Sequence, residues 1–101
     1  MRAPSHLAFA LLVACGAAAA ETHVITVEDM QFRPAALTVK RGDTVTWKNK
    51  DLVPHTATAA GKFDSGNIDG NHSWSWKAAA PGEFGYVCTF HRGMKGSVTV
   101  K

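Results

Sequence analysis

The chain has 101 residues, which bounds it to one small domain. After residue 20, ten Lys and Arg face eight Asp and Glu with no basic run, which excludes a nucleic-acid binder built on an electrostatic stripe. Of the two cysteines, Cys15 precedes that point and Cys88 follows it, so the domain has no internal disulfide.

Residues 1–20 place Arg2 ahead of an apolar run from Leu7 to Ala14, followed by small residues. That is the pattern of a secretory signal peptide, and it is shorter than the roughly 20 apolar residues of a membrane-spanning helix. Ala18–Ala20 suits a cleavage site, so residues 1–20 are expected to be leader and 21–101 the exported, periplasmic domain. The segment "LVAC", Leu12 to Cys15, also resembles a bacterial lipoprotein signal, in which Cys15 would carry the lipid.

"THVITVE", from Thr22 to Glu28, alternates Val and Ile with polar residues and predicts a strand. Met30 and Phe32 follow in an apolar segment and are expected in the core. Ala36 to Lys40 predicts a second strand. Arg41 to Asp43 is a tight turn in which Gly42 takes positive φ; its match to an integrin-binding tripeptide is set aside. Thr44 to Asn49 is a third strand with Val45 and Trp47 on one face. Val53 to Ala59 reads as another, entered through Pro54. Gly61 to Asn71 holds three Gly and no period, and predicts a loop. His72 to Ala78 alternates again, Pro81 to Cys88 runs from a turn into a strand, and Gly96 to Lys101 is the last one. The "NHS" at Asn71 to Ser73 is a chance glycosylation match. Together these predict an all-β antiparallel sandwich or barrel of about seven to eight strands. Phe32, Val39, Val45, Trp47, Phe84, Tyr86 and Val98 are the expected core; His23 and His72 lack ligand spacing, and Trp74 and Trp76 share one face as packing or surface aromatics.

The chemistry concentrates in "YVCTFHRGMKG", Tyr86 to Gly96, where Cys88, His91 and Met94 recur every third residue. A loop after a strand brings such residues to one point, with Gly93 and Gly96 supplying backbone freedom. Thiolate, imidazole and thioether form a soft set that selects copper over magnesium, calcium or manganese. Zinc would accept the Cys and His but has little use for a Met. His55, after Pro54 at the mouth of a strand, is the best candidate for a fourth ligand, since sandwich loops cluster at the sheet ends. Two His and one Cys with a distant axial Met make a blue-copper electron-transfer site.

"GDTVTWKNKDLVPH" (Gly42 to His55) and "YVCTFHRGMKGSVTV" (Tyr86 to Val100) resemble the cupredoxins, and among them the amicyanin and plastocyanin group. The C-x2-H-x2-M spacing is nearest to amicyanin. The resemblance implies a Greek-key sandwich and one type 1 copper ion, with no organic cofactor. It implies His55, Cys88 and His91 as equatorial ligands, Met94 as the axial one, and Asn49 with Thr89 as a pair bracing the ligand loops and the sulfur. The family's loop His can leave Cu(I) and take a proton, which is expected of His91 at mildly acidic pH. Three positions depart from the family: Phe90 and Arg92 stand where amicyanins carry Pro, and Thr56 stands where Asn often follows the first His.

Four filled coordination positions leave no opening for a substrate, so an enzyme is not expected. The expected function is single-electron shuttling by a monomer between redox partner proteins, dehydrogenase-like or cytochrome-like. His91 would be the port, Pro54, Phe90 and Arg92 the docking patch, and Lys50, Arg92 and Lys95 would steer an acidic partner. The alternative from another class is a copper carrier or chaperone that hands over the ion through the same ligands.

Overall fold

The computed structural model describes residues 19–101; Cys15 and all but the end of the leader lie outside the described residues. Among the described residues nine strands follow one another: β1 Thr22–Glu28, β2 Gln31–Arg33, β3 Ala36–Val39, β4 Thr44–Asn49, β5 Thr58–Ala59, β6 Phe63–Asp64, β7 Ser73–Lys77, β8 Gly82–Cys88 and β9 His91–Val100. They form two sheets, ordered β2-β1-β4-β7 and β3-β9-β8-β5-β6. The all-β sandwich agrees with the sequence reading, but the pairing is mixed. β1 runs parallel to β4 and β3 parallel to β9, while the other pairs are antiparallel. Among the described residues no helix is long and apolar enough to cross a membrane.

The core lies between the sheets, where period-two patterning sends alternate side chains inward. In β4, Val45, Trp47 and Asn49 are buried. In β1 it is Ile25 and Val27, and in β8 Tyr86 and Cys88. Six of the seven expected core residues are buried, and Phe84 packs partly covered against them. Trp47 is the hub. It lies 5.3 Å from Tyr86 edge-on and 5.5 Å from both Phe63 and Trp74. Aromatic pairs at such separations add to the large apolar area each ring removes from water. Gly96 pairs with Tyr86 across the β8–β9 ladder, and a Cβ there would overlap the Tyr86 hydroxyl. The sequence reading assigned Gly96 backbone freedom. Its φ is not positive, and what it supplies is space.

Several expectations are corrected. Met30 is 42% exposed, not core. It and Asp29, at φ 61 and 56, form the two-residue turn between the paired Glu28 and Gln31, which turns the Met30 side chain away from the interior. The strand expected from Val53 shrinks to Thr58–Ala59. The residues before it are instead held by a bridge, with His55 N–H donating to Ile68 O at 3.1 Å and Ile68 N–H to His55 O at 2.7 Å. The Gly61–Asn71 loop contains β6. His91 and Met94, expected in a loop, fall within β9. Only Thr89 and Phe90 turn between Cys88 and His91. The register then jumps from Cys88↔His91 to Val87↔Lys95, so Arg92, Gly93 and Met94 bulge from the ladder.

Candidate metal centre

Two segments meet at one end of the sandwich: the connection after β4 and the β8–β9 turn. Asn49 is the last residue of β4 and follows Val45 and Trp47 on the inward face. A buried amide there must find partners. Its Nδ2 donates to Val53 O at 2.8 Å and to Ile68 O at 2.9 Å, and its Oδ1 accepts Asp51 N–H at 2.8 Å. These three bonds and the two of the His55–Ile68 bridge fold residues 49–55 into an arch that delivers the His55 ring to the interior, where it is fully buried.

Cys88 ends β8 and is also fully buried and free of disulfide. His55 Nδ1 faces its Sγ at 3.6 Å. One ion bound at about 2.0 Å to nitrogen and about 2.3 Å to sulfur would hold those two atoms about 3.5–3.7 Å apart, for angles between tetrahedral and trigonal. The other ring nitrogen, Nε2, lies 2.8 Å from Asp51 Oδ2. Burial pushes the Asp51 carboxyl up, but the Met30 amide, the His55 imidazole and the Asp29 amide pull it below the usual carboxylate range. An ionised carboxylate only accepts, so the ring nitrogen facing it carries the proton. Nδ1 is then the ring nitrogen turned toward the thiol, where a metal ligand would stand.

The His91 ring centroid is 5.8 Å from that of His55, and the His91 side chain is exposed. Met94 is buried, 6% exposed, on the bulge of β9. The structure thus brings His55 and Cys88 into direct contact, sets His91 beside His55, and places Met94 on the same β8–β9 connection. Thr89 braces the two segments, though not through Asn49. Its N–H donates to Thr56 Oγ1 at 2.9 Å, and the two hydroxyls lie 3.2 Å apart. Asn49 and Thr89 are therefore separate braces, and the side chain recorded against the Cys88 sulfur is His55.

Two contributors escaped the sequence reading. Thr56, 3% exposed, is the strut between the segments, and its sequence signal was its departure from the family's Asn. Asp51 lies four residues before His55, within a stretch singled out for other residues. On the two segments that carry His55 and His91, Leu52 is 91% exposed, and Val53, Pro54 and Phe90 are exposed too. The apolar surface is broader than Pro54 and Phe90 alone. Arg92, Lys50 and Lys95 are exposed cations at this end.

The chain matches known proteins over most of its length. A family profile described as the cupredoxin-like domain matches residues 3–100. Amicyanin-alpha of Methylorubrum extorquens is 33% identical over 109 residues, covering 98% of this chain and 88% of that protein. The plastocyanin of Scenedesmus fuscus is 36% identical over 85 residues, covering 69% of this chain and 86% of the relative. Among solved structures, the Cu(I) form of an amicyanin mutant superposes with a TM-score of 0.74 at 31% identity, covering 87% of this chain and 88% of that one.

Proposed function

Because the chain belongs to the cupredoxin-like family, we propose that it binds one type 1 copper ion and shuttles single electrons between redox partner proteins. His55 Nδ1, Cys88 Sγ and a ring nitrogen of His91 would hold the ion, with Met94 as the weak axial ligand. The observation that carries this reading is the 3.6 Å approach of an imidazole nitrogen, His55 Nδ1, to a buried thiol. The donor set, two imidazoles with one thiolate and one thioether, is the one that suits copper in this geometry. When bound, the ion supplies a reversible Cu(II)/Cu(I) couple.

The residues do the rest. The arch anchored by Asn49 and the Thr56–Thr89 strut hold the segments that carry His55 and Cys88, so little has to move on a change of oxidation state. Burial of His55, Cys88 and Met94 keeps water from the sulfur side. His91 alone of the four reaches the surface, and it serves as the electron port. Leu52, Val53, Pro54 and Phe90 form the apolar docking patch around it, in keeping with the small interfaces of transient electron-transfer encounters. Arg92, Lys50 and Lys95 steer an acidic partner. The protein acts as a monomer in the periplasm, exported by residues 1–20, with no chemical step of its own. The hand-over of copper itself, as by a carrier, would want an open site, and the burial of three of the four donors disfavours it.

The visible spectrum of the copper-loaded protein, with a redox titration, tests this. An intense blue band, abolished in Cys88→Ser, and reversible one-electron cycling are expected. A colourless protein that gives up Cu(I) readily to a chelator would establish the carrier instead.

A further inference from the structure

Three donors converge on the Asp51 carboxylate. Oδ1 accepts the Asp29 N–H at 2.8 Å. Oδ2 accepts the Met30 N–H at 3.0 Å and lies 2.8 Å from His55 Nε2. Asp29 and Met30 are the two central residues of the β1–β2 turn, both at positive φ. Such a turn prefers Asn or Asp followed by Gly, and a Met in its second place is held against its own preference. The carboxylate supplies what the turn lacks, and the same oxygen that caps it faces the buried imidazole. The hairpin and the metal centre belong to different stretches of chain, and Asp51 is the atom-level link between them.

We propose that Asp51 is a positioning residue for the copper site. Its carboxylate selects the His55 tautomer that leaves Nδ1 bare toward Cys88, and it locks the imidazole to the β1–β2 turn. The proposal rests on the copper reading for its functional meaning, but its structural half does not. Asn in place of Asp has one accepting oxygen for three donors. Whichever donors keep it, a remaining one faces an NH2 group. If that donor is Nε2–H, the ring gains by moving its proton to Nδ1, where it blocks the metal.

The test uses Asp51→Asn, Met30→Gly and the double variant. Met30→Gly relieves the turn of its unfavoured residue, so it restores the hairpin without touching the imidazole. With Cu(I) competed against a colorimetric chelator, Asp51→Asn is expected to bind 10–100-fold more weakly, the usual cost of losing a carboxylate behind a ligating His. The double variant should regain thermal stability but not affinity, and the reduction potential of both Asn variants should move. Full recovery of affinity in the double variant, or wild-type affinity in Asp51→Asn, overturns the proposal, because the carboxylate would then matter only to the turn or not at all. Nitrogen-15 NMR of the copper-free protein at neutral pH reads the tautomer directly. A His55 ring protonated at Nδ1 in the wild type also overturns it. A wild type that binds no copper would defeat the functional reading while leaving the tautomer result to stand.

Discussion

The two ends of β4 carry the same device in different company. At one end the Asp43 carboxylate accepts the N–H groups of Glu21 and Lys40, at 2.9 and 3.0 Å, and pairs with His23 Nε2 at 2.9 Å. At the other, Asp51 accepts the N–H groups of Asp29 and Met30 and pairs with His55 Nε2 at 2.8 Å. Six residues of strand, about 20 Å at 3.3 Å per residue, separate them. Each carboxylate ties a neighbouring segment to β4 through two main-chain donors and one imidazole. The difference lies on the far side of the ring. His55 is fully buried with a thiol 3.6 Å from Nδ1. His23 is 22% exposed, and its second carboxylate neighbour, Glu21 at 3.8 Å, faces the same Nε2 as Asp43. A His–Asp pair is thus a structural clasp by default. Where a thiol waits at the other nitrogen, as at His55, the same clasp can serve the proposed metal centre.

The contrast can be broken most sharply by removing each imidazole. His55→Ala should abolish the blue absorption, while His23→Ala should leave its position and intensity unchanged; equal losses would mean that the two clasps are not distinct. A smaller effect, shared by both ends, is expected from the strand between them. Trp47→Ala removes the fully buried hub ring and should cost roughly 3–5 kcal/mol by chemical denaturation of the copper-free protein. The smallest effect belongs to acid. The Glu21 and Lys40 amides and His23 draw the Asp43 carboxyl down from 3.8 to about 2, against the opposing pull of desolvation. A folded-state pKa below the unfolded one adds stability that is present above about pH 4 and is lost as pH falls toward 2. Asp43→Asn should therefore flatten the fall in stability across that window. The slope that remains has Asp51 as a contributor, since its carboxyl is also lowered.

What was legible beforehand divides along a physical line. Val45 and Trp47 announced β4 because burial on a pleated strand imposes period two, and Cys88, His91 and Met94 stood out because soft donors are scarce and were evenly spaced. Asp51 and Thr56 were not legible. An Asp or a Thr between strands usually reads as turn chemistry, and their partners lie far along the chain, 33 residues in the case of Thr56 and Thr89. Met30 was misread because hydrophobic character argues for the core, whereas its place in a positive-φ turn is set by the hairpin's backbone. The short β2 and the bulge at Arg92–Met94 likewise follow from pairing partners, not from local pattern.

The parallel pairing of β3 with β9 also sets when the molecule can mature. Residue 36 meets residue 97 there, and no local hairpin can bring them together. Such remote contacts make folding slow, in the millisecond-to-second range typical of β-sandwiches. Cys88, His91 and Met94 share one local hairpin, but His55 lies 33 residues from Cys88, so the proposed donor set is complete only when the two segments have met in the finished sandwich.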